Sequence, residues 1–245
     1  MRNNTDTVSL SIVLPAKNEA EGLRRVLPAL TEYFPQAEVL VVNDGSTDST
    51  EQVCQENKVR CVTHKRPRGN GAAVKTGIRA ATGDLVVVMD ADGQHQPAEI
   101  AILLDPIDTG ADMAVGARTS KQHASFGRLL ANSFYNRFAS WVTGQKILDL
   151  TSGFRAFHRA QAMKYLYLLP NGFSYPTTIT MAFMREGLSV EYVPIDVQPR
   201  VGRSHIQPIR DGARFLIIIF KVGTLFSPLK IFLPCSLALL LAGLL

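Results

Sequence analysis

Cysteine is scarce and unpatterned. The 245 residues hold only Cys54, Cys61 and Cys235, an odd set with no CxxC and no neighbouring Cys/His cluster. That excludes a disulfide scaffold and a structural zinc site and favours a reducing compartment. Internal repeats and low-complexity linkers are missing too. Charged residues are held to 19% against 46% hydrophobic, ordinary globular usage, which excludes wholesale disorder, a collagen-like repeat and a polytopic membrane protein. Residues 1–8 are polar, with no apolar core before Leu10, so they read as a disordered tail without a cleavable signal peptide, on a chain that stays cytoplasmic.

Acid is the other shortage. Residues 118–245 hold 5 Asp/Glu against 15 Lys/Arg, whereas residues 1–117 hold 16 against 11. The halves therefore carry +10 and −5, and Leu150–Arg185 has no carboxylate at all. A basic second half suits nucleic acid, anionic lipid or a phosphorylated substrate, and charge alone does not choose among them.

What is present is an alternation. Short apolar strands are expected at Leu10–Leu14, Glu38–Asn43, Val59–Thr63, Leu85–Met89 and Met113–Val115. Helical patterns lie between them at Glu19–Tyr33, Ser49–Asn57 and Gly71–Ala81. Such βαβ units give a parallel sheet with right-handed crossovers, and ligands bind beyond the carboxyl ends of the strands. After residue 117 the pattern changes to a helix over Phe126–Val142, an extended piece at Ser152–Phe157, helices over Arg159–Leu169 and Thr178–Arg185, and a strand at Ser189–Val197. The expected organisation is one catalytic domain over residues 9–205, with a nucleotide-binding half (9–117) and an acceptor half (118–205).

The polar motifs follow strand ends. Leu85–Met89 runs into Asp90-Ala91-Asp92-Gly93-Gln94-His95. In extended backbone, residues i and i+2 point the same way, so both carboxylates can converge on one cation, with the Gln94 amide as a third oxygen donor. Oxygen-only ligands suit Mg²⁺ or Mn²⁺ rather than zinc. Val42-Asn43-Asp44-Gly45-Ser46-Thr47-Asp48 ends the second strand and Pro15-Ala16-Lys17-Asn18-Glu19 the first. Neighbouring strand ends would bring these turns over one crevice, with Asp44 and Glu19 as acceptors for base or ribose, and with Asn18, Asp48 or Ser49 serving as helix caps. Lys65–Gly71 reads either as a phosphate-cradling lid or as a plain strand-to-helix turn, since it lacks the Lys-Ser/Thr of a P-loop. Arg118, Arg128, Arg155, Arg200 and Arg203 supply guanidinium groups, the side chain that grips phosphate with two parallel hydrogen bonds.

In order along the chain, Pro-Ala-Lys-Asn-Glu, Asn-Asp-Gly-Ser-Thr-Asp-Ser-Thr, Asp-Ala-Asp-Gly-Gln-His, Thr-Ser-Gly-Phe-Arg-Ala-Phe and Gly-Arg-Ser-His resemble the family 2 glycosyltransferases, over roughly residues 9–226. The branch they resemble is that of the dolichol-phosphate mannosyltransferases and other polyprenyl-phosphate glycosyltransferases. The resemblance implies a GT-A type, Rossmann-like, mixed and mostly parallel α/β sheet flanked by helices. It implies a nucleotide-sugar site made of Pro15, Lys17, Glu19, Val42, Asp44, Asp90 and Ala91, with Arg200 and His205 on the diphosphate. It further implies Mg²⁺ or Mn²⁺ on Asp90, Asp92 and Gln94, and an acceptor phosphate on Arg118, Arg128 and Asn132, with Asp92, Arg118 and Arg128 catalytic. Three positions depart from the pattern: Asn43 replaces a frequent Asp, Asn132 a usual Ser, and His205 a common Lys.

The expected reaction is inverting transfer of a sugar from a nucleoside diphosphate sugar to a polyprenyl phosphate at the cytoplasmic face of the cell membrane, without a nucleic-acid partner, for glycan or cell-envelope synthesis. A lipid phosphate arrives ionised and needs no general base; the leaving diphosphate needs charge neutralisation. The rival with the same fold transfers to a saccharide hydroxyl and would use Asp149 or His158 as base. At the C-terminus, residues 206–230 read as an amphipathic interfacial helix. Arg210, Arg214 and Lys221 fall in a stripe about 40° wide among Phe215, Leu216, Ile218, Ile219, Phe220 and Val222, although a docking helix with a basic edge fits the same pattern. Ile231–Leu245 is uncharged over 15 residues, where a span needs roughly 20. It reads as the start of a transmembrane helix, with a buried C-terminal helix as the alternative.

Overall fold

The structure is a computed structural model that describes residues 8–118, 126–172, 174–198, 217–218, 220–221, 223–224 and 227–244, with the backbone alone at 126–132 and 238. The expected tail over residues 1–8 falls outside this set except for Val8.

The strands are β1 (Leu10–Ala16), β2 (Glu38–Asn43), β3 (Arg60–Thr63), β4 (Leu85–Val88), β5 (Met113–Arg118), β6 (Arg155–His158) and β7 (Val190–Ile195). The helices are α1 (Ala20–Tyr33), α2 (Thr50–Glu56), α3 (Asn70–Ala80), α4 (Ile100–Asp108), α5 (Phe126–Thr143), α6 (Arg159–Tyr165), α7 (Tyr175–Arg185) and α8 (Pro228–Gly243). All seven strands join one sheet in the order β3-β2-β1-β4-β6-β5-β7. Pairing is parallel except at β6, which runs antiparallel to both β4 and β5. The sheet is therefore mixed and mostly parallel, and a strand from the second half of the chain sits between two from the first.

Period-two alternation sends each strand's side chains to two cores. Ile12, Leu14, Val41 and Val87 pack with Leu23 and Leu27 of α1, Val53 of α2 and Leu103 of α4. Val13, Val42, Val86 and Val88 face the other way, onto Val74 and Ile78 of α3 and Ile179 and Phe183 of α7. Helices on both faces cover a sheet whose inner strands are buried except at their ends, the arrangement that near-continuous runs of Val, Leu and Ile call for.

Several elements differ from the sequence reading. α4 was not foreseen: it follows a short 3-10 turn at Pro97–Glu99 and contains Pro106, and prolines of that kind normally argue against helix. α7 starts three residues earlier than expected, with Pro176 in its first turn, where a missing N–H costs nothing. At the C-terminal end, Ile217, Ile218, Phe220, Lys221, Gly223 and Thr224 are helical; Arg210 and Arg214 of the expected basic stripe lie outside the described residues. α8 begins at Pro228 and carries Pro234. Among the described residues no helix is long and apolar enough to cross a membrane.

Candidate active site

The carboxyl ends of β1, β2, β4 and β5 face one edge of the sheet, and because β6 is antiparallel its entry loop arrives at that same edge. Val88 is the register partner of Arg155, which sets residues Ser152–Phe154 beside Met89 and Asp90. A Cβ on Gly153 would lie 2.8 Å from Asp90 Oδ2, so a side chain there would have to displace the carboxylate. The Tyr175 hydroxyl, fully buried, donates to Gly153 O at 3.1 Å.

Asp90, Ala91 and Asp92 form the turn that leaves β4. Asp92 is 6% exposed, and its Oδ1 accepts from Gln94 N at 3.1 Å. Gln94 reaches across to Gln198 O through Nε2 at 3.2 Å, a bond that uses the amide nitrogen and not the oxygen that could serve a cation. On the other side α1 presses so closely that a Cβ on Gly22 would collide with Ala91 O. Two carboxylates and an amide oxygen are hard donors, and that set fits Mg²⁺ or Mn²⁺. Just beyond, His95 stacks on Phe154 with ring centroids 4.7 Å apart, and burial lowers its pKa to about 4, so it stands there as neutral imidazole.

The two turns at the ends of β1 and β2 are interlocked, as neighbouring strands with Pro15 opposite Val42 require. Asn18, at φ +55°, donates its N–H to Ser46 Oγ at 2.9 Å and accepts from Thr47 N at 2.8 Å. Asp48 takes the N–H of Ala20 at 3.1 Å and that of Thr50 at 3.0 Å, so one carboxylate caps the first turns of both α1 and α2. Glu19 N donates to Thr50 Oγ1 at 3.2 Å. Lys17 is exposed and Val42 is buried.

Asp44, expected as a nucleoside acceptor, also holds groups of this chain. Its Oδ1 takes His64 Nδ1 at 2.7 Å and Arg68 N at 2.8 Å, and its Oδ2 takes Gly69 N at 2.8 Å. At 3% exposure, the carboxylate is used to fasten the basic loop 65–69 to the end of β2, with His64 held from behind by Thr76 at 2.9 Å. The loop is also not a phosphate cradle. Gly71 N donates to Gly172 O and Ala72 N to Asn171 O, both at 3.0 Å, so these first amides of α3 are spent on the neighbouring loop. Gly69 and Gly71 are glycines because that backbone leaves no room for a Cβ.

The arginines separate into two kinds. Arg118 ends β5 and grips Asp149 with Nε and Nη2 at 2.8 and 2.9 Å, while Nη2 also reaches Thr151 Oγ1 at 2.5 Å. Thr151 N and Ser152 N add two donors to the Asp149 carboxylate at 3.1 Å. Burial pushes the Asp149 carboxyl up, but Arg118 and these N–H groups outweigh it and hold the group below the ordinary carboxylate range. About a third of the Arg118 side chain remains exposed. Arg155, expected to face phosphate, does not: paired with Val88 and Val115 it points into the core under α7. There it donates to Pro176 O and Thr180 Oγ1 at 3.1 Å and to Ser152 O, and lies over the Tyr175 ring at 5.8 Å. Arg128 and Asn132 are on α5, their side chains outside the described residues; Arg200, Arg203 and His205 lie outside entirely. His158 is at the far end of β6, opposite Leu85, away from this edge.

A family model described as glycosyl transferase family 2 matches residues 11–166. The chain belongs to the family 2 glycosyltransferases. It is 30% identical over 228 residues to a polyprenol monophosphomannose synthase of Mycolicibacterium smegmatis, covering 86% of this chain and 84% of the relative. It is also 30% identical over 215 residues to an undecaprenyl-phosphate mannosyltransferase of Micrococcus luteus, covering 78% and 85%. Among solved structures, glucosyl-3-phosphoglycerate synthase from Mycobacterium tuberculosis, crystallised with Mn²⁺, UDP-glucose and phosphoglyceric acid, superposes with a TM-score of 0.72 at 21% identity, over 89% of this glycosyltransferase and 80% of that chain. That likeness is one of fold, and the fold is GT-A-like. Gly22, Gly153 and Tyr175 are the site residues that sequence reading missed; Gly153 alone had a signal, inside Thr-Ser-Gly-Phe-Arg.

Proposed function

We propose that this glycosyltransferase moves a sugar from a nucleoside diphosphate sugar to a polyprenyl phosphate, inverting the anomeric carbon, at the cytoplasmic face of a membrane. The observation that carries the reading is the Arg118–Asp149 pair. The carboxylate that a hydroxyl acceptor would need as base is saturated by donors and kept ionised, which makes it a poor proton acceptor at neutral pH. A phosphate acceptor requires no such group. Its own charge suits Arg118, with Arg128 and Asn132 of α5 as further contacts, and the names of the mycobacterial and Micrococcus relatives supply the lipid phosphate class.

Asp90, Asp92 and Gln94 would hold Mg²⁺ or Mn²⁺, which when bound neutralises the charge that gathers on the departing diphosphate. Arg200 and His205 are assigned to that diphosphate, and Pro15, Lys17, Glu19, Val42 and Asp44 to the nucleoside end, with Asp44 also fastening the loop 65–69. The membrane is met by α8, where Leu229, Leu233, Leu237, Leu239, Leu240 and Leu241 are all more than half exposed. Its N-terminal end is anchored: Ile231 is buried, Lys230 Nζ donates to Trp141 O and Val142 O at 3.2 and 3.3 Å, and the Phe232 ring meets that of Phe220. Residues 206–230 would lie in the interface beside it.

The deciding assay offers a panel of UDP-, GDP- and dTDP-sugars with either a short polyprenyl phosphate or the free polyprenol. Transfer to the phosphate alone is expected. Efficient transfer to the alcohol, together with collapse of turnover in Asp149→Asn, would replace this reading with the hydroxyl-acceptor one.

A further inference from the structure

Arg155 is wholly enclosed by the core, and it is charged. Its place in the sheet, between Val88 of β4 and Val115 of β5, is one that an apolar side chain would fill without the cost of burying a cation. The oxygens it meets belong to carbonyls and a hydroxyl. Nη1 donates to Pro176 O and to Thr180 Oγ1, both at 3.1 Å, Nη2 donates to Ser152 O, and Nε is buried without a partner among the described residues. Packing alone does not call for so costly a group, whereas a tie between α7 and the loop that enters β6 uses all three of these bonds.

Three successive carbonyls of that loop are held from within the fold. Ser152 O takes Arg155, Gly153 O takes the Tyr175 hydroxyl at 3.1 Å, and Phe154 O takes Gly116 N at 2.9 Å. The Tyr175 ring also lies 5.8 Å from the guanidinium carbon, so the residues that hold the first two carbonyls hold each other. On the loop's other side Gly153 stands against Asp90, where an added Cβ would be 2.8 Å from Oδ2. An aspartate has two free torsions, and a wall in contact with its oxygen removes part of that freedom before a cation arrives. We propose that Arg155 is a positioning residue for the cation site: it clamps Ser152 O to α7, keeps Gly153 against Asp90, and so holds that carboxylate in one place for Mg²⁺ or Mn²⁺. The inference rests on the reading of Asp90, Asp92 and Gln94 as cation donors.

The test titrates Mn²⁺ into the full chain, alone and with saturating UDP or GDP, and reads the free ion by electron paramagnetic resonance, with no turnover involved. Arg155→Met removes the charge and every bond. Arg155→Lys keeps the charge but offers a single ammonium in place of a fork. The Mn²⁺ Kd should rise about tenfold in Arg155→Met, the low end for groups that orient metal ligands from behind, and by less in Arg155→Lys. Thr180→Val, which leaves the guanidinium in place and takes away one acceptor, should give a smaller rise in the same direction; with Arg155→Lys it decides the matter if Arg155→Met does not fold. Thermal melting records stability separately, because a purely structural arginine would lower the melting temperature and leave the Mn²⁺ affinity of the folded protein as it was. Unchanged Mn²⁺ affinity in both Arg155→Lys and Thr180→Val would overturn the positioning role while the cation site stands. Failure of the unmodified protein to bind Mn²⁺ under any of these conditions would overturn the assignment of Asp90, Asp92 and Gln94, and this inference with it.

Discussion

Asp149 lies 8% exposed against an arginine that keeps a third of its side chain in solvent, and the pair responds to substitution and to acid in different ways. Asp149→Asn strands Arg118 and should cost about 3 kcal/mol, the low end for breaking a buried pair, read by urea unfolding at neutral pH. Because the folded carboxyl titrates below its unfolded value of 3.8, its contribution is complete above that pH and fades as the pH falls through the folded value. The variant should therefore show a flatter stability profile below pH 3.8 than the unmodified protein. At the turn after β4, Asp92→Asn should lower transfer by on the order of 10²–10³ and abolish stimulation by added Mn²⁺ or Mg²⁺. Turnover of the unmodified enzyme that survives EDTA would refute that role. The Asp90–Gln94 turn was legible because five apolar residues run straight into it. The employment of Asp44 was not, since its partners His64, Arg68 and Gly69 arrive from 20 or more residues away and leave no local trace. Arg155 was misread for a related reason: a short strand announces alternation but not which of its faces meets the crevice.

Around the site, two elements are set against the turn after β4 by close backbone approach at a glycine. α1 approaches the Asp90–Asp92 turn at Gly22, where any Cβ would strike Ala91 O. Gly22→Ala should push the helix away, at about 1–3 kcal/mol by the usual cost of overpacking, and should raise the metal concentration needed for half-maximal activity. Thermal melting and a Mn²⁺ titration of turnover check the two halves of this expectation; an unchanged titration would detach α1 from the metal turn. Tyr175→Phe removes the hydroxyl that holds Gly153 O, leaving a buried acceptor unpaired at about 1–3 kcal/mol, and should likewise weaken metal use. The first three βα units could be read because their periodicity was clean and their connections short. α4 hid behind Pro97 and Pro106. The entry to β6 was seen as extended, but its position in the sheet depends on pairing with β4 about 70 residues earlier, which no local window contains.

For the molecule as a whole, the proposed attachment to an anionic bilayer would draw on the apolar surface of α8 and on the basic second half together. Replacing Leu233, Leu237 and Leu240 together by Asp should abolish co-flotation with liposomes containing anionic lipid while leaving the far-ultraviolet spectrum intact. Equal flotation of the variant would remove α8 as the point of attachment. The place of β6 has a further bearing, on biosynthesis. A nascent chain that has cleared the ribosome only as far as β5 holds β4 and β5 with the slot between them vacant, each presenting unpaired N–H and C=O groups along an apolar edge. Those edges are closed only when residues 155–158 emerge and pair with both strands at once. Arrested translation between Arg118 and Arg155 should therefore leave a fragment that sticks to chaperones and to itself, and the release of that fragment from them marks the moment at which the sheet, and with it the Asp90–Gly153 contact, comes into being.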